Sequence, residues 1–298
     1  MPTPSELLKN SPRHSIFGNY RAANGGLDSD PNSQPTPPPA GSKAGAPTLQ
    51  TAIDQAIARS FIHRFLAKAF EDGEAESWQW LTKAQTKLSL AAALKVLGQS
   101  FERLDRALLP SACDSFATAY IACFGHTVRG DCPMNEIEYG DIKADPLFQP
   151  HRLSDLGAFY AAFGLQVTPD AAERVDHISI ELEFMSVLAA KEAYAIEHQF
   201  EAEQLDLLRD AQKKFLREHL GRWTPAFTRR LAKMAGKTPL GALAQFTGEF
   251  VKLECARFNV PPGSEDLLLR PVDEASESLC ASCGLAALPP GATTTGPM

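Results

Sequence analysis

The sequence lacks the long apolar run that a membrane-spanning helix requires. No stretch of 18 apolar residues occurs in its 298 residues, and the N-terminal segment MPTPSELLKNSPRHSIFGNY has no apolar core of signal-peptide length. Cysteine is scarce: the six thiols, in a chain without an export signal, are expected to be reduced. Lysine and arginine are outnumbered, which leaves a net charge of -7, and no basic cluster is interleaved with aromatic residues. A nucleic acid is therefore not expected as the main partner, and the chain is predicted to be a cytoplasmic protein.

Motifs typical of enzymes are also absent from the sequence. It contains no Gly-rich phosphate loop, no Gly-x-Ser-x-Gly elbow and no zincin motif, so neither catalysis nor a cofactor is predicted. One alternative remains open, because Glu173, His177 and Glu181 are spaced by four and could share a helix face as metal ligands. The chain would then be a helical metal-dependent or nucleotide-hydrolysing enzyme. A carboxylate-bridged di-iron bundle, however, needs two Glu-x-x-His pairs, which this chain lacks.

The cysteines offer weak candidates for a thiolate metal site. Cys280 and Cys283 form a Cys-x-x-Cys pair, and Cys255 lies upstream of them. A structural zinc site usually takes four ligands, and no histidine follows Cys283. The cysteines are therefore expected to be unpaired thiols with no metal bound.

Composition divides the chain into three parts. Residues 1–48 are rich in proline, serine and glycine and are predicted to be a disordered leader, since such a segment buries too little apolar surface to fold. Residues 49–262 are predicted to form one globular, all-helical domain. Residues 263–298 are predicted to be an extended, mostly irregular tail that contains Cys280 and Cys283.

Hydrophobic periodicity predicts an all-α fold of about eight to ten helices, without strands or internal repeats. The segment EDGEAESWQWL is read as an interruption between the first two helical regions. Two later helices each begin with a Thr-Pro pair, at Thr224-Pro225 and Thr238-Pro239, and a preceding helix is expected to end at Gly221. The predicted helical regions are 49–70, 83–109, 111–124, 153–163, 173–198, 204–220, 224–235 and the segment that begins with Thr238.

The longest predicted helix, Glu173–His198, is apolar over much of its circumference. Ile178, Leu182 and Met185 recur on one face, and a second apolar row lies beside them. Such a helix needs partners on several sides and is therefore predicted to be central in the domain. Asp176 precedes the apolar rows and is expected to cap the helix start.

The irregular segment 125–152 is acidic and partly apolar. A surface of this kind suits a ligand that is basic at one end and apolar along the rest. An alternative of equal weight from composition is a solvated loop whose apolar residues anchor it to the core. The segment holds the acids Asp131, Glu136, Glu138, Asp141 and Asp145 and the apolar residues Met134, Ile137, Tyr139, Leu147 and Phe148.

Four motifs occur in an order and spacing that resemble the TorD/DmsD/NarJ family of molybdoenzyme maturation chaperones. The resemblance spans roughly residues 50–260. The stretch Cys-Pro-x-x-Glu-x-x-Tyr is most similar to the branch that serves enzymes of the ethylbenzene dehydrogenase, selenate reductase and dimethylsulfide dehydrogenase type. The motifs are Tyr120-Ile-Ala-Cys-Phe124, Cys132-Pro133 with Glu136 and Tyr139, Leu153 to Leu165 with Asp155 and Phe159, and Glu173-Arg-Val-Asp176-His177 followed by Glu181.

The resemblance implies a cytoplasmic, all-helical chaperone and not an enzyme. Such a chaperone binds the apo catalytic subunit of a molybdopterin oxidoreductase, its twin-arginine signal peptide, or both. It thereby assists insertion of the molybdenum cofactor and prevents premature export. A monomer or a segment-swapped homodimer is expected. A weaker alternative is a structural subunit that is retained in the mature oxidoreductase.

The resemblance also implies residues that contact the client. Asp176 and His177 match the family's Asp-His pair, although Val175 stands where the family has proline, and Cys123-Phe124 replaces its Leu-Phe. The hypothesis is that carboxylates meet the arginines bidentately while aromatic side chains, Phe159 among them, line an apolar groove. The predicted client-binding residues are Asp176, His177, Tyr120, Phe124, Glu136, Glu138, Tyr139 and Asp155.

Overall fold

The architecture is all-α, as predicted. The computed structural model describes residues 48–71, 75–99, 113–125, 130–140, 148–168 and 173–270. In these ranges the chain forms nine α-helices and one short 3-10 turn, and two isolated antiparallel bridges join Asn135 to His177 and Tyr139 to Leu269. The helices are α1 Leu49–Phe70, α2 Ala75–Thr82, α3 Ala84–Val96, α4 Cys113–Phe124, α5 Phe148–Ala162, α6 Ile178–Glu197, α7 Ala202–Glu218, α8 Leu220–Ala235 and α9 Pro239–Arg257.

Several predicted features lie outside the described residues. They include nearly all of the predicted leader, 1–48, most of the predicted tail, 263–298, and the second half of the predicted helix 83–109. Among the candidate residues, Asp141, Asp145, Leu147, Cys280 and Cys283 lie there as well.

Helices α1 and α6 form the central pair of the domain. They contact each other along more of their length than any other two described helices. Ser60 of α1 and Ser186 of α6 are both buried, and the Ser186 hydroxyl donates to the Ser60 carbonyl at 2.9 Å. Since small side chains let two helices approach closely, this contact marks a tight crossing. The prediction that the long helix is buried and central is confirmed.

A buried ionic network next to this crossing ties four helices together. Arg59 of α1 donates to Glu254 of α9 at 2.8 Å, to Glu192 of α6 at 2.9 Å and to Gln212 of α7 at 2.5 Å. His63 lies 3.1 Å from the same Glu254 carboxylate. Burial alone would raise the pKa of Glu254, but Arg59 and His63 outweigh it and hold the pKa well below its usual range.

Several helix boundaries differ from the prediction. The segment read as an interruption contains α2, Ala75–Thr82, and the predicted start of α5 at Leu153 is late because the helix already begins at Phe148. Pro150 lies in the first turn of α5, where backbone N–H groups have no acceptor within the helix, so a proline there removes no helical hydrogen bond. The Thr238-Pro239 device is confirmed: the Thr238 hydroxyl accepts from the Gly241 N–H at 3.3 Å.

Gly221 does not end a helix, contrary to the prediction. The chain breaks at His219, and Gly221 lies in the first turn of α8. A Cβ at this position would meet the Leu216 carbonyl oxygen at 2.4 Å and the Cys255 sulfur at 2.8 Å, so the glycine permits close approach of α7 and α9.

The pair Thr224-Pro225 lies inside α8 and does not start it. Because Pro225 has no N–H, the Gly221 carbonyl four residues earlier lacks its helical donor. The Gly263 N–H supplies it at 2.9 Å. The first residues of the predicted tail are therefore packed against the helical domain.

Candidate functional site

The irregular segment 130–140 lies at the centre of the predicted site. Its backbone between Met134 and Glu136 pairs with residues 176–178 across an antiparallel bridge, Asn135 to His177. The Glu136 N–H donates to the Asp176 carbonyl, and the Ile178 N–H to the Met134 carbonyl, both at 2.9 Å. The two segments are in direct backbone contact, so a peptide would have to bind beside this pairing and not between its members.

Asp176 is completely buried, and its carboxylate is hydrogen-bonded to groups of the same chain. It accepts from the Ile137 N–H and from the Asn135 amide, each at 3.2 Å. Arg174 adds a bidentate pair, with distances of 2.7 and 3.0 Å to the two carboxylate oxygens. A guanidinium group does meet Asp176, as the hypothesis required of a client, but it belongs to this chain.

His177, and not Asp176 as predicted, caps α6. Its Nδ1 accepts from the Ser179 N–H at 3.3 Å and lies 2.7 Å from the Ser179 hydroxyl. Burial, with a smaller contribution from Arg174, lowers the pKa of His177 to about 3. The imidazole is therefore neutral at physiological pH and serves the local backbone.

Glu136 is also completely buried, and it is charged. His219 Nδ1 lies 2.9 Å from its carboxylate, the Arg222 guanidinium 3.1 Å and the Arg152 guanidinium 3.6 Å. Burial would raise the pKa of Glu136, but the contacts with His219 and Arg222 outweigh it, and the pKa lies below its usual value.

Glu181 lies close to the same network, but it differs from Glu136 in its protonation. Its carboxyl group accepts from the Trp223 indole N–H at 3.1 Å. Burial raises the pKa of Glu181 well above its usual value, and the negative charges of Glu136 and Asp176 add to this effect. A neutral Glu181 bonded to an indole does not suit the metal ligand or catalytic base of the enzymatic alternative.

The predicted aromatic pair packs on the same segment. Tyr120 and Phe124 meet edge to face with ring centroids 4.7 Å apart, and the Tyr120 hydroxyl lies 3.7 Å from the Met134 sulfur. Tyr120 is buried and Phe124 is half-buried. Phe159 packs in the core against Phe215, at a centroid distance of 5.5 Å.

Tyr139 anchors the end of the segment. It is completely buried, its hydroxyl donates to the Pro133 carbonyl at 2.8 Å, and its ring lies 5.1 Å from that of Trp223. The Arg222 guanidinium donates to the Tyr139 carbonyl at 3.2 Å. Tyr139 therefore holds the segment against α8.

Burial thus divides the predicted client-binding residues into two groups. The inner group (Asp176, His177, Glu136, Tyr139 and Tyr120) is buried and holds the 130–140 segment in place. The outer group is accessible: the side chain of Asp155 is 48% exposed, that of Glu138 is 16% exposed, and Phe124 is half-buried. Asp155 also joins the inner network, since its carboxylate lies 3.2 Å from His219 Nε2.

One group of side chains in the described part of the chain has the spacing of metal ligands. Asp155, Glu218 and His219 each place a ligand atom within 4.8 Å of the others. Glu218, however, already pairs with Arg217 at 2.6 Å and with Lys214 at 3.7 Å. These cations disfavour a further positive charge at this position.

The cysteine hypothesis gains little from the structure. Cys255 is buried in α9, and burial raises the pKa of its thiol to about 11, which disfavours the thiolate that a metal needs. Cys280 and Cys283, its predicted partners, lie outside the described residues.

Sequence reasoning missed the residues that neutralise the buried acids. Arg174 pairs with Asp176 and Arg222 pairs with Glu136, to which His219 is also hydrogen-bonded. The Trp223 indole N–H donates to Glu181. A signal existed only for Arg174, which lies two residues from Asp176 in the matched motif.

None of the helices in the described ranges is long and apolar enough to span a membrane.

Comparison with known proteins places the chain in context. Residues 89–229 match the family model described as nitrate reductase delta subunit. The chain is 27% identical over 180 residues to the perchlorate reductase assembly chaperone protein of Dechloromonas aromatica (strain RCB), an alignment that covers 58% of this chain and 77% of the relative. It is 39% identical over 79 residues to the selenate reductase assembly chaperone protein of Thauera selenatis, with 26% of this chain and 39% of the relative covered.

A third relative is the chlorate reductase assembly chaperone protein of Ideonella dechloratans. The identity is 32% over 110 residues, which cover 37% of this chain and 54% of the relative. The chain thus spans about half or less of the length of the last two relatives. The matched family region, 89–229, includes the 130–140 segment, the Asp176–His177 pair and the arginine and histidine that contact Glu136.

Proposed function

We propose that this chain, which belongs to the TorD/NarJ family of the nitrate reductase delta subunit, is a system-specific assembly chaperone for a molybdopterin oxidoreductase. The observation that carries the proposal is the agreement among its relatives, which are named as assembly chaperones of perchlorate, selenate and chlorate reductases. The prediction of a chaperone is thereby confirmed, and the enzymatic alternative is not favoured.

We propose further that the chain acts in the cytoplasm, before export of its client. It would bind the apo catalytic subunit, its twin-arginine leader, or both, and release them once the molybdenum cofactor is inserted. Whether it does so as a monomer or as a segment-swapped homodimer stays a prediction.

The surface that we assign to the client is the outer group around the 130–140 segment. Asp155 and Glu138 are the predicted acids that solvent reaches, and Glu138 also lies 3.7 Å from the Arg174 guanidinium. Phe124 offers an accessible apolar ring, which packs on Tyr120 and through it on the Met134 side of the 130–140 segment. Carboxylates bind guanidinium groups through short, charge-assisted hydrogen bonds, so these acids suit the arginines of a leader.

The inner group has a supporting role in this proposal. Because Asp176 and Glu136 are buried and paired with arginines of the same chain, they fix the shape of the 130–140 segment and leave its outer face to the client. Substituting them would change the fold of the site together with its affinity, so they do not test direct contact.

Titration calorimetry with a synthetic twin-arginine leader peptide tests the acidic surface. We expect the double variant Glu138→Gln/Asp155→Asn to bind at least tenfold more weakly than the wild-type chain, with a smaller salt dependence. The matched control is Glu203→Gln/Asp206→Asn on the exposed face of α7, which removes the same charge elsewhere. Equal affinities of the two double variants would rule out the assignment of the acids.

A further inference from the structure

The 130–140 segment has a second antiparallel partner at its other end. Tyr139 bridges to Leu269, the Gly140 N–H donates to the Leu268 carbonyl at 3.1 Å, and the Arg270 N–H donates to the Glu138 carbonyl at 2.9 Å. This repeats the hydrogen-bond pattern of the bridge to residues 176–178. The segment is therefore held by backbone pairing at both ends, once by the start of α6 and once by residues 268–270.

Side chains of the second partner alternate as in a β-strand. Leu267 and Leu269 are half-buried and pack against the core, whereas Leu268 between them is 59% exposed. Leu269 lies directly opposite Tyr139 in a non-hydrogen-bonded pair, the position where cross-strand side chains are closest. The edge at Glu138–Gly140 thus receives an extended strand with apolar residues at alternate positions.

The residues that lead to this strand form ion pairs at the surface. Asp266, whose side chain is 83% exposed, pairs with Arg229, and Glu265, whose side chain is 46% exposed, pairs with Lys252. Exposed ion pairs contribute little to stability. The firm anchor comes earlier, at Gly263, where a Cβ would meet the Arg222 carbonyl oxygen at 1.8 Å. Residues 264–266 are therefore weakly held, whereas detachment of residues 267–270 must break the pairing with Glu138–Gly140 and the hydrogen bond from Arg230 to the Leu267 carbonyl at 3.4 Å.

We propose that the main-chain edge Glu138–Gly140 is a docking site for an extended apolar segment of the client, and that residues 267–270 occupy this edge in the free chaperone. The proposal rests on the proposed chaperone function. An extended peptide that adds to an exposed edge gains affinity from main-chain hydrogen bonds and specificity from alternate side chains. An edge left bare would pair with other chains indiscriminately, and the chain's own strand prevents this.

Displacement follows from competition between two strands for one edge. The residues 267–270 are tethered and so act at a high effective concentration, which excludes weak peptides. A client that also engages the acidic surface at Glu138 and Asp155 makes additional contacts and can displace them. The recognised chemistry is an extended segment with apolar side chains at positions i and i+2.

A peptide-binding experiment on the full-length chain tests the edge directly. The probe is a fluorescent nonapeptide of the sequence SEDLLLRPV, which copies residues 264–272. We expect the variant Leu267→Ser/Leu269→Ser, whose own strand is weakened, to bind the probe at least tenfold more tightly than the wild-type chain does. The control Leu268→Ser changes an outward-facing leucine and should bind like the wild type. Thermal unfolding confirms that all three proteins are folded.

The result that overturns the docking edge is equal binding of the probe by the double variant and the control. A probe in which both inward leucines are serine should lose its binding to the double variant. If it binds as well as the original probe, the alternate-leucine recognition is refuted.

Hydrogen exchange with the precursor of a catalytic subunit then tests whether the client uses the edge. We expect the Arg270 amide to lose its protection when the client binds, while the Gly140 amide stays protected because a client carbonyl replaces that of Leu268. If the client binds and Arg270 stays protected, this inference fails and the chaperone function stands. If no client binds, the proposed function fails, and the role of the edge in client docking fails with it.

Discussion

Two buried glutamates beside the 130–140 segment should respond in opposite ways to the same substitution. Glu136 and Glu181 are both fully buried. Glu136 is charged because His219 and Arg222 surround its carboxylate, whereas Glu181 has only an indole N–H and nearby negative charge. Replacing either by glutamine keeps the shape of the side chain and removes only its ability to carry a charge.

The expected magnitudes differ by several kcal/mol. Glu136→Gln leaves the Arg222 guanidinium without its buried counter-charge, and breaking a buried pair in this way costs about 3–5 kcal/mol of unfolding free energy. Glu181→Gln retains an acceptor for the Trp223 indole, so the change should not lower the unfolding free energy by more than about 1 kcal/mol at neutral pH.

The pH dependence separates the two further. Because the pKa of Glu136 is depressed in the fold, its stabilisation is present above the pKa of the unfolded chain and is lost as the pH falls through the folded pKa. The pKa of Glu181 is raised, so the wild type loses stability as the pH rises from the unfolded pKa to the folded one, and Glu181→Gln removes this loss.

Urea unfolding followed by tryptophan fluorescence at pH 5 and pH 7.5 measures both effects. The prediction is a low midpoint for Glu136→Gln and a wild-type or higher midpoint for Glu181→Gln at pH 7.5. If Glu181→Gln lost as much stability as Glu136→Gln, the assignment of a neutral Glu181 and a charged Glu136 would be refuted.

Three further predictions concern the supporting structure. His177→Asn keeps a helix cap and removes a histidine whose pKa burial lowers to about 3. The unfolding free energy of this variant should therefore decline less than that of the wild type between pH 7 and pH 5, as measured by urea midpoints. An equal decline would contradict the argument that His177 is buried in its neutral form. Because burial raises the pKa of Cys132 to about 12, iodoacetamide should modify this thiol far more slowly in the folded chain than in guanidinium, and equal rates by mass spectrometry would contradict it. Arg59→Met should cost about 3–5 kcal/mol in urea unfolding because Glu254 loses its buried partner, whereas a cost within about 1 kcal/mol would show that the network is dispensable.

Local patterns in the sequence were sufficient for most of the fold. The first helix has the predicted bounds, Leu49–Phe70, and the apolar rows after Asp176 correctly identify the central helix. In both cases the signal is periodic burial along one continuous stretch, which needs no knowledge of the packing partner. The helix Ala75–Thr82 was missed because its short apolar pattern follows a glycine and several acids.

The end of α7 shows a different limit. Glycine at position 221 was read as a terminator, but its reason is the close approach of Leu216 and Cys255 from two other helices. A contact of this kind depends on tertiary packing and leaves no local mark in the sequence.

The candidate site shows the same difference between what local sequence patterns reveal and what tertiary packing decides. The matched motifs named Asp176, Glu136 and Tyr139, and the structure places Asp176 directly against the 130–140 segment that carries the other two. What the sequence could not reveal is that the acids are neutralised internally. Glu136 and its partner His219 are 83 positions apart, so only the fold shows which carboxylates remain open to a client.

The central claim is that the chain binds an apo catalytic subunit and releases it after cofactor insertion. Co-expression of the tagged chain with the precursor of a molybdopterin subunit, in cells with and without molybdenum-cofactor synthesis, tests it most directly. We predict a stoichiometric complex with the cofactor-free precursor that is lost when the cofactor is made. No complex in either case, or equal retention on the mature, cofactor-loaded enzyme, would contradict the account, and the second result would indicate a structural subunit of the oxidoreductase.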